Sequence, residues 1–270
     1  MNEVVEDMRM MRWSGASRSS QALPGSPDDS AGSTGEVPAL VCSPAGVAGA
    51  PAVLFYHGLR ASKEVHRKEG RLLAQAGFAA VLIDAPHHGA RHDALLEQRD
   101  ITGLALDRLL VRLVTDAVAE VPALVDQLLA AGHRSVAIAG ISMGAYIALA
   151  AAVVEPRLAA IVSLLGSPSW APEDGVPADM MEAVGRDPLH LHDALVARPL
   201  LMINGGKDVN VRPEGARELA ALLRPKYAAA GASEALVHVE LPDADHFPGE
   251  RDWDTLWTTT VGFLTRILDP

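Results

Sequence analysis

A single serine stands between two glycines in the stretch GISMGA, residues 140–145. The run before it, SVAIA, is rich in Val, Ile and Ala, which is typical of a buried strand, whereas the run after it favours a helix. A glycine-bounded turn between a strand and a helix is the setting in which G-x-S-x-G exposes a reactive serine on a strained bend. Because Gly and Ser are common residues, the pattern needs a base, an acid and an oxyanion site elsewhere in the chain.

The base must be a histidine within hydrogen-bond reach of Ser142, because a serine hydroxyl is a weak nucleophile. Four histidines follow Ser142 in the chain. His238 falls inside a strand pattern, and His190 and His192 lie in an irregular segment. His246, in DADHFPG, lies in the loop between the last predicted strand and the last predicted helix, where the order nucleophile, acid, base places it. We predict His246 as the base, and the alternative is an ordinary surface-loop histidine.

The acid that orients this histidine is predicted to be Asp208, which follows a buried strand in the stretch NGGKDVNV. Asp243 and Asp245 are nearer to His246 in sequence, but they share its loop. A carboxylate that must hold the far imidazole nitrogen more often comes from a separate strand end. The alternative for Asp208 is a turn-forming role beside the two glycines.

Acyl transfer also requires hydrogen-bond donors for the oxyanion that develops on the substrate. The backbone N–H of Met143 begins the helix after the serine and is the first candidate. In FYHGLRAS, residues 55–62, Gly58 permits a tight turn that can direct the N–H of Leu59 into the site. His57 is interpreted as support for this loop rather than as a second base.

A metal site is the competing interpretation of the stretch HHGARHD. His87, His88, His92 and Asp93 lie within seven consecutive positions, and histidines at short spacing can ligate zinc. No carboxylate at helical spacing completes a ligand set, and a serine mechanism needs no metal. We therefore predict a site without a metal ion or other cofactor.

The elements that must position these residues alternate between apolar runs and helical patterns. Strands are predicted at 51–58, 78–86, 135–139, 158–166, 199–206 and 235–242. Helices are predicted at 63–76, 104–131, 145–154, 213–230 and 252–268, with a kink or break at Pro122. The near-continuous apolar strands predict an α/β fold with a mostly parallel sheet and helices on both faces. Residues 167–198, rich in Pro and acids, are predicted to form a small cap over the carboxyl ends of the strands.

Composition restricts the class of protein. The chain has 270 residues and a net charge of −11 without a dense Lys/Arg cluster, which argues against nucleic acid or an anionic membrane as partner. Cys42 is the only cysteine, which excludes an internal disulfide. The acidic start lacks an apolar signal region, and the longest apolar run is too short to span a bilayer, so a cytoplasmic protein is expected. Residues 1–36 are predicted to be disordered or loosely packed, and residues 37–270 to form the domain.

Five ordered motifs resemble those of α/β-hydrolase esterases in the dienelactone-hydrolase and prolyl-oligopeptidase-like group. They are FYHG, DAPHHGAR, GISMGA, PLLMINGGKDVNV and DADHF, and the likeness covers residues 37–270. It is strongest to small bacterial carboxylesterases with a D-x-P-x-H-G-x-R stretch. The resemblance implies an α/β-hydrolase fold with Ser142, Asp208 and His246 as catalytic triad and with Leu59 and Met143 as oxyanion donors.

The same resemblance implies a serine carboxylesterase that acts on a small-molecule ester and uses no cofactor. It places the loop from His88 to Arg91 beside the substrate pocket. Trp170 is predicted to complete this pocket, because it is the only aromatic residue of the predicted cap. The short cap favours small acyl groups over long lipids. Thioesters and peptide bonds remain alternative substrates, and a non-catalytic binding protein is the alternative from another class. A homo-oligomer is compatible with the sequence but not indicated by it.

Overall fold

The backbone forms one eight-stranded sheet flanked by helices. A computed structural model describes residues 3–14 and 34–270. The strands are β1 (Val4–Ser14), β2 (Thr34–Pro44), β3 (Ala52–Tyr56), β4 (Ala79–Ile83), β5 (Val136–Ile141), β6 (Leu158–Leu164), β7 (Leu200–Gly205) and β8 (Leu236–Leu241). The α-helices within these ranges are α1 (Arg67–Gln75), α2 (Leu104–Ala130), α3 (Met143–Val154), α4 (Met181–Val184), α5 (Glu214–Ala229) and α6 (Glu250–Leu268).

The strand order in the sheet is β1-β2-β4-β3-β5-β6-β7-β8. Strands β3 to β8 pair in parallel, whereas β2 is antiparallel to β4 and β1 is antiparallel to β2. Because the carboxyl ends of parallel strands lie at one edge of the sheet, the loops that follow β3, β5, β7 and β8 converge there. The predicted nucleophile, acid, base and oxyanion loop all lie in these four connections.

Both faces of the sheet are buried, which explains why its strands are apolar at consecutive positions rather than at alternate ones. In β3, Leu54 and Tyr56 pack with residues of α2, α3 and α5, whereas Val53 and Phe55 pack with residues of α1 and α6. The predicted α/β class, the parallel sheet and the helices on both faces are confirmed. A break at Pro122 is wrong, because α2 continues through that residue, where the buried neighbours Val121 and Leu124 pack into the core and offset the cost of proline. A kink at Pro122 stays a prediction.

The N-terminal region differs from the expectation of a disordered or loosely packed segment before residue 37. Strand β1 pairs along its whole length with β2, from Val4 opposite Pro44 to Ser14 opposite Thr34. The side chain of Met11 is buried in the core on the α2 side, and Glu6 accepts a hydrogen bond from Arg67 of α1 at 2.8 Å. This strand is held by the backbone ladder and by a few contacts rather than by a continuous apolar pattern. Residues 15–33 of the predicted segment lie outside the described residues.

The connection between β6 and β7 contains the segment predicted as a cap. It includes α4 and several short helical turns. Met180, Ala183 and Val184 are buried against Val111 of α2, and Trp170 packs on this small cluster. The connection is therefore anchored to α2 beside the carboxyl edge of the sheet. Across the described ranges, the structure contains no helix that is both long and apolar enough to cross a bilayer.

Candidate active site

Ser142 occupies a sharp turn between β5 and α3. Its backbone has φ 54° and ψ −121°, a positive-φ conformation that side chains rarely adopt. The flanking glycines make the turn possible: a Cβ on Gly140 would lie 2.1 Å from the carbonyl oxygen of Gly144, and a Cβ on Gly144 would lie 2.1 Å from that of Tyr56. No other residue fits these two positions, so the glycines hold the serine at the carboxyl edge of the sheet.

Ser142, His246 and Asp208 form a continuous hydrogen-bonded chain. The Oγ of Ser142 lies 2.9 Å from Nε2 of His246. The Nδ1 of the same imidazole lies 2.7 Å from Oδ2 of Asp208. Asp208 is buried, and the His246 side chain is 12% exposed. In this arrangement the Nδ1–H donates to the carboxylate and Nε2 is free to accept the hydroxyl proton of Ser142.

The two alternative acids near His246 are engaged elsewhere. Asp243 binds Nζ of Lys207 at 2.6 Å and is largely exposed, and Asp245 accepts the backbone N–H of Phe247 at 2.8 Å. Asp208, in contrast, points one oxygen at His246, and its other oxygen accepts the amides of Asn210 at 2.9 Å and Val211 at 2.8 Å. These two backbone bonds hold the carboxylate in place beside the imidazole.

The loops that carry the acid and the base are joined by backbone hydrogen bonds. The amide of Gly206 donates to the carbonyl of Leu241 at 2.8 Å, and the amide of Lys207 donates to the carbonyl of Ala244 at 2.9 Å. A Cβ on Gly205 would lie 2.7 Å from the carbonyl oxygen of Ala244, so these loops are in close contact. Asp208 and His246 are therefore positioned as one unit at the ends of β7 and β8.

The loop after β3 lies directly against the serine. A Cβ on Gly58 would lie 3.5 Å from the Cβ of Ser142, so the backbone of Gly58 and Leu59 borders the site. In the part of the chain that the structure describes, neither the amide of Leu59 nor that of Met143 is engaged in a backbone or side-chain hydrogen bond. Two free amides beside a nucleophile can stabilise an oxyanion.

His57 shapes this loop as a neutral residue. Its Nδ1–H donates to the carbonyl of Gly58 at 2.8 Å, and its Nε2 accepts the amide of Ala85 at 3.1 Å. Burial lowers the pKa of His57 to about 4, so the imidazole keeps one donor and one acceptor at neutral pH. These two bonds tie the loop after β3 to the loop after β4.

The predicted substrate pocket of His88, Arg91 and Trp170 is not assembled as expected. His88 is 1% exposed, and its Nδ1 lies 2.8 Å from the carbonyl oxygen of Pro86. Arg91 donates to buried Glu120 at 2.8 Å and is thereby held inside the fold. The DAPHHGAR stretch thus packs a loop: buried Asp84 accepts the amide of Ala90 at 2.9 Å and forms an ion pair with Lys63 at 2.8 Å. Of the three, Trp170 lines a pocket between α2 and α3.

That pocket lies between α2, α3 and the loop after β6. Asp107 and Val111 of α2, Tyr146 of α3, and Ser169 and Trp170 are among the residues that line it. Tyr146 follows Ser142 by one helical turn, so the pocket is adjacent to the element that carries the serine. Sequence reasoning missed Asp107 and Tyr146. The four-residue spacing of Tyr146 from Ser142 was a usable signal, whereas nothing in the sequence marked Asp107.

The candidate metal residues are drawn into other contacts. Nδ1 of His87 lies 2.6 Å from Oδ2 of Asp93, and its Nε2 lies 3.2 Å from Oδ2 of Asp116. The hydrogen bond with Asp116, followed by that with Asp93, raises the pKa of His87. Among the described residues, no group of three or more His, Cys, Asp or Glu side chains is arranged to hold a metal ion.

Comparison with known proteins identifies the family. The sequence profile of the alpha/beta hydrolase family matches residues 53–204, more than half of the chain. The chain belongs to the α/β-hydrolase family. The matched stretch of this α/β hydrolase runs from β3 into β7 and includes the turn that carries Ser142.

Two curated relatives of this α/β hydrolase are named as esterases. A Bacillus subtilis (strain 168) protein, YitV, is 31% identical over 181 residues, which are 58% of this chain and 68% of the relative. The esterase YjfP of Escherichia coli (strain K12) is 33% identical over 137 residues, 49% of this chain and 52% of the relative. The second match thus spans about half the length of YjfP.

Solved structures with the same fold cover nearly the whole α/β hydrolase. A cold-adapted esterase from an Arctic intertidal metagenomic library superposes with a TM-score of 0.67 at 21% identity, covering 98% of this chain and 94% of that one. A Klebsiella pneumoniae protein described as a dienelactone hydrolase superposes with a TM-score of 0.70 at 18% identity, covering 98% and 100%. At these identities the likeness concerns the fold.

Proposed function

We propose that this α/β hydrolase is a serine esterase that cleaves carboxylic esters of small acyl groups through an acyl-enzyme intermediate. The observation that carries the proposal is the relay from Ser142 Oγ to His246 Nε2 at 2.9 Å and from His246 Nδ1 to Asp208 at 2.7 Å. The imidazole of His246 is within hydrogen-bond distance of both Ser142 and Asp208, which is the geometry that nucleophilic catalysis requires.

In the first half-reaction, Ser142 Oγ attacks the ester carbonyl while His246 Nε2 accepts its proton. The imidazolium that forms is stabilised by the buried carboxylate of Asp208. The carbonyl oxygen becomes an oxyanion, for which we assign the amides of Leu59 and Met143 as donors. His246 then gives the proton to the leaving alcohol oxygen, the carbon–oxygen bond breaks, and the acyl group remains on Ser142.

In the second half-reaction, water replaces the alcohol. His246 Nε2 takes a proton from the water as it attacks the acyl carbonyl, and the same two amides stabilise the second oxyanion. The proton passes to Ser142 Oγ as the bond to the acyl carbon breaks, which releases the carboxylic acid and restores the starting hydroxyl. Each proton therefore moves through one imidazole nitrogen.

Two observations support an ester with a small acyl group as substrate. The curated relatives carry the name esterase, and the family is one of hydrolases. The pocket beside α3 offers a cavity of ≈ 50 Å³, which suits a short substituent rather than a lipid chain. Thioesters and amides can use the same relay, so the relative rates on matched substrates decide between them.

The direct test is labelling and replacement of Ser142. An active-site-directed fluorophosphonate should modify Ser142, and Ser142→Ala should abolish labelling and lower kcat for p-nitrophenyl acetate by about 10⁴-fold or more. Alanine has the same Cβ at the strained position, so the circular dichroism spectrum and Tm should be unchanged. Esters of increasing chain length, with thioester and anilide analogues of the fastest one, give the preference. Hydrolysis by purified Ser142→Ala at near wild-type rate would refute the serine mechanism, and absence of any hydrolysis by the wild type would favour a binding protein.

A chelation experiment separates this mechanism from metal-assisted hydrolysis at the HHGARH stretch. Dialysis against EDTA should leave kcat unchanged, because His246 generates the nucleophile and a zinc hydroxide would be redundant. His92→Ala should change kcat little, whereas His246→Ala should be nearly inactive at neutral pH. Loss of activity on chelation, restored by zinc, would assign the chemistry to the histidine cluster instead of to Ser142.

A further inference from the structure

The pocket beside α3 contains a carboxyl group that has no counter-ion. Asp107 lines this pocket, and within the described residues its carboxyl group forms neither a hydrogen bond nor an ion pair. Two basic side chains of this part of the molecule are paired with other carboxylates. Arg108 binds Asp179 at 2.7 Å, and Arg212 binds Glu173 at 2.6 Å. A half-buried carboxylate without a partner is costly, and a bound cation would offset that cost.

Aromatic side chains complete the environment of Asp107. Tyr146 and Trp170 line the same pocket, and the Nε1–H of Trp170 is buried without a partner. A carboxylate next to aromatic rings is the combination with which proteins bind ammonium groups, through charge and through the negative faces of the rings. Burial, followed by the charge of Glu173, raises the pKa of Asp107, which agrees with a carboxyl group that lacks a positive neighbour. The net charge of −11 also attracts cations towards the protein.

A purely structural role for Asp107 explains only part of this arrangement. Asp107 lies in the first turn of α2, where an acidic side chain interacts favourably with the helix dipole. An exposed acid would serve that purpose equally well, however, and Asp107 instead borders a cavity with two aromatic residues. The helix-dipole role predicts an effect on stability, whereas a binding role predicts an effect on substrate preference.

The pocket lies beside α3, the helix that follows Ser142. Tyr146 is one turn after Ser142 on α3 and is close enough to feel the charges of both Asp107 and Asp208. We propose that this pocket binds the positively charged end of the ester substrate, with Asp107 as counter-ion and Tyr146 and Trp170 as aromatic walls. The inference rests on the proposed esterase function and names the chemical class of its substrate: an ester that bears an ammonium group on its alcohol or acyl part.

Matched pairs of esters test the proposal. The first pair is choline butyrate and its neutral isostere, in which carbon replaces nitrogen and the shape is kept. The second pair carries the same exchange on the acyl part, as the ethyl ester of betaine and the ethyl ester of its carbon isostere. For each pair the measured quantity is the ratio of kcat/KM for the charged ester to kcat/KM for the neutral ester. Intrinsic reactivity differs within a pair but is the same for every enzyme variant, so it cancels between variants.

Asp107→Asn should lower this ratio by about tenfold in at least one pair, as expected for loss of one partly exposed charge contact. The kcat/KM for the neutral ester should fall less than that for the charged ester, because the neutral ester makes no charge contact with Asp107. Asp126→Asn is the matched control, because it removes the same charge about 28 Å further along α2. Its ratio should equal that of wild type. Asp107→Ser, which retains a residue suited to a helix start, should repeat the loss and covers the case in which Asp107→Asn folds poorly.

The outcomes separate this inference from the proposed function. If wild type hydrolyses the neutral isosteres through Ser142 but neither ratio changes in the Asp107 variants, the cation pocket is refuted and the esterase stands. An equal fall in the ratio for Asp126→Asn would show a general charge effect and would also refute the pocket. If wild type hydrolyses p-nitrophenyl acetate but no ester in either pair, the cation pocket is refuted and the esterase stands. If wild type hydrolyses no ester at all, or if Ser142→Ala hydrolyses the esters normally, the proposed function itself fails, and this inference fails with it.

Discussion

Replacing Asp208 with asparagine changes which imidazole nitrogen of His246 carries the proton. One oxygen of Asp208 accepts the amides of Asn210 and Val211, and the other faces Nδ1 of His246 at 2.7 Å. Because an amide nitrogen cannot accept those two backbone bonds, the carbonyl oxygen of an asparagine must take their side. Its NH₂ group then points at His246, so Nδ1 becomes an acceptor and Nε2 must carry the proton.

The expected loss follows from this forced tautomer. An Nε2 that already carries a proton cannot accept another from Ser142, and the imidazolium loses its charged partner. A corresponding exchange in a serine protease triad lowers kcat by about 10⁴-fold, which is about 5 kcal/mol in transition-state free energy. For Asp208→Asn we expect a fall in kcat between about 10³- and 10⁴-fold. Because the two backbone bonds are kept, Tm should change by only a few degrees.

The assay is steady-state hydrolysis of p-nitrophenyl acetate at neutral pH, with Tm measured on the same samples. Asp243→Asn and Asp245→Asn are the matched controls, since both residues lie in the His246 loop but bind Lys207 and the amide of Phe247. Each control should keep kcat within about threefold of wild type. A crippled Asp243→Asn or Asp245→Asn beside an active Asp208→Asn would show that the acid is assigned to the wrong residue.

Two further predictions concern stability. His57 has a pKa of about 4 in the folded protein and about 6.5 when unfolded, so the unfolded chain takes up the proton first as the pH falls. The free energy of unfolding should therefore fall by about 2 kcal/mol between about pH 7 and about pH 5 because of His57. Urea unfolding at several pH values should show that His57→Asn removes this part of the pH dependence. If the free energy of unfolding of His57→Asn varies with pH as that of wild type does, the prediction is wrong. In β1, Met11→Ala should lower the free energy of unfolding by about 2 kcal/mol because Met11 is buried. Met8 and Met10 are 58% and 55% exposed, so replacing either with alanine should lower the free energy of unfolding by less than about 0.5 kcal/mol. An equal loss for all three variants would refute the packing of β1.

The parallel sheet could be predicted because both of its faces are buried. That burial makes strands such as Ala52–Tyr56 apolar at every position. The two glycines of GISMGA mark a turn in which the backbone packs too closely to leave room for a side chain. Once the strands are predicted from the sequence, each of the connections after β5, β7 and β8 contains few residues that could act as nucleophile, acid or base. The structure brings these predicted residues together for the same reason: parallel strands end at one edge.

Features that depend on tertiary contacts could not be predicted. Strand β1 has exposed Met8 and Met10, and Met11 is the one buried side chain described in residues 4–12, so this stretch carries no clear alternation. Helix α2 passes through Pro122 because packing on both sides outweighs a local preference. The ion pair between Arg91 and Glu120 of α2 joins residues far apart in sequence. Pattern and spacing carry no information about such partners.

The positive-φ backbone of Ser142 has an evolutionary consequence. A side chain held at φ 54° costs on the order of 1–3 kcal/mol, whereas glycine adopts such a conformation freely. Under selection for stability alone, a glycine would displace Ser142, and the folded protein would gain from the exchange. A serine at this position therefore persists only where its hydroxyl is used, and drift towards glycine here is the simplest route by which a descendant of this chain would keep its fold and become a binding protein.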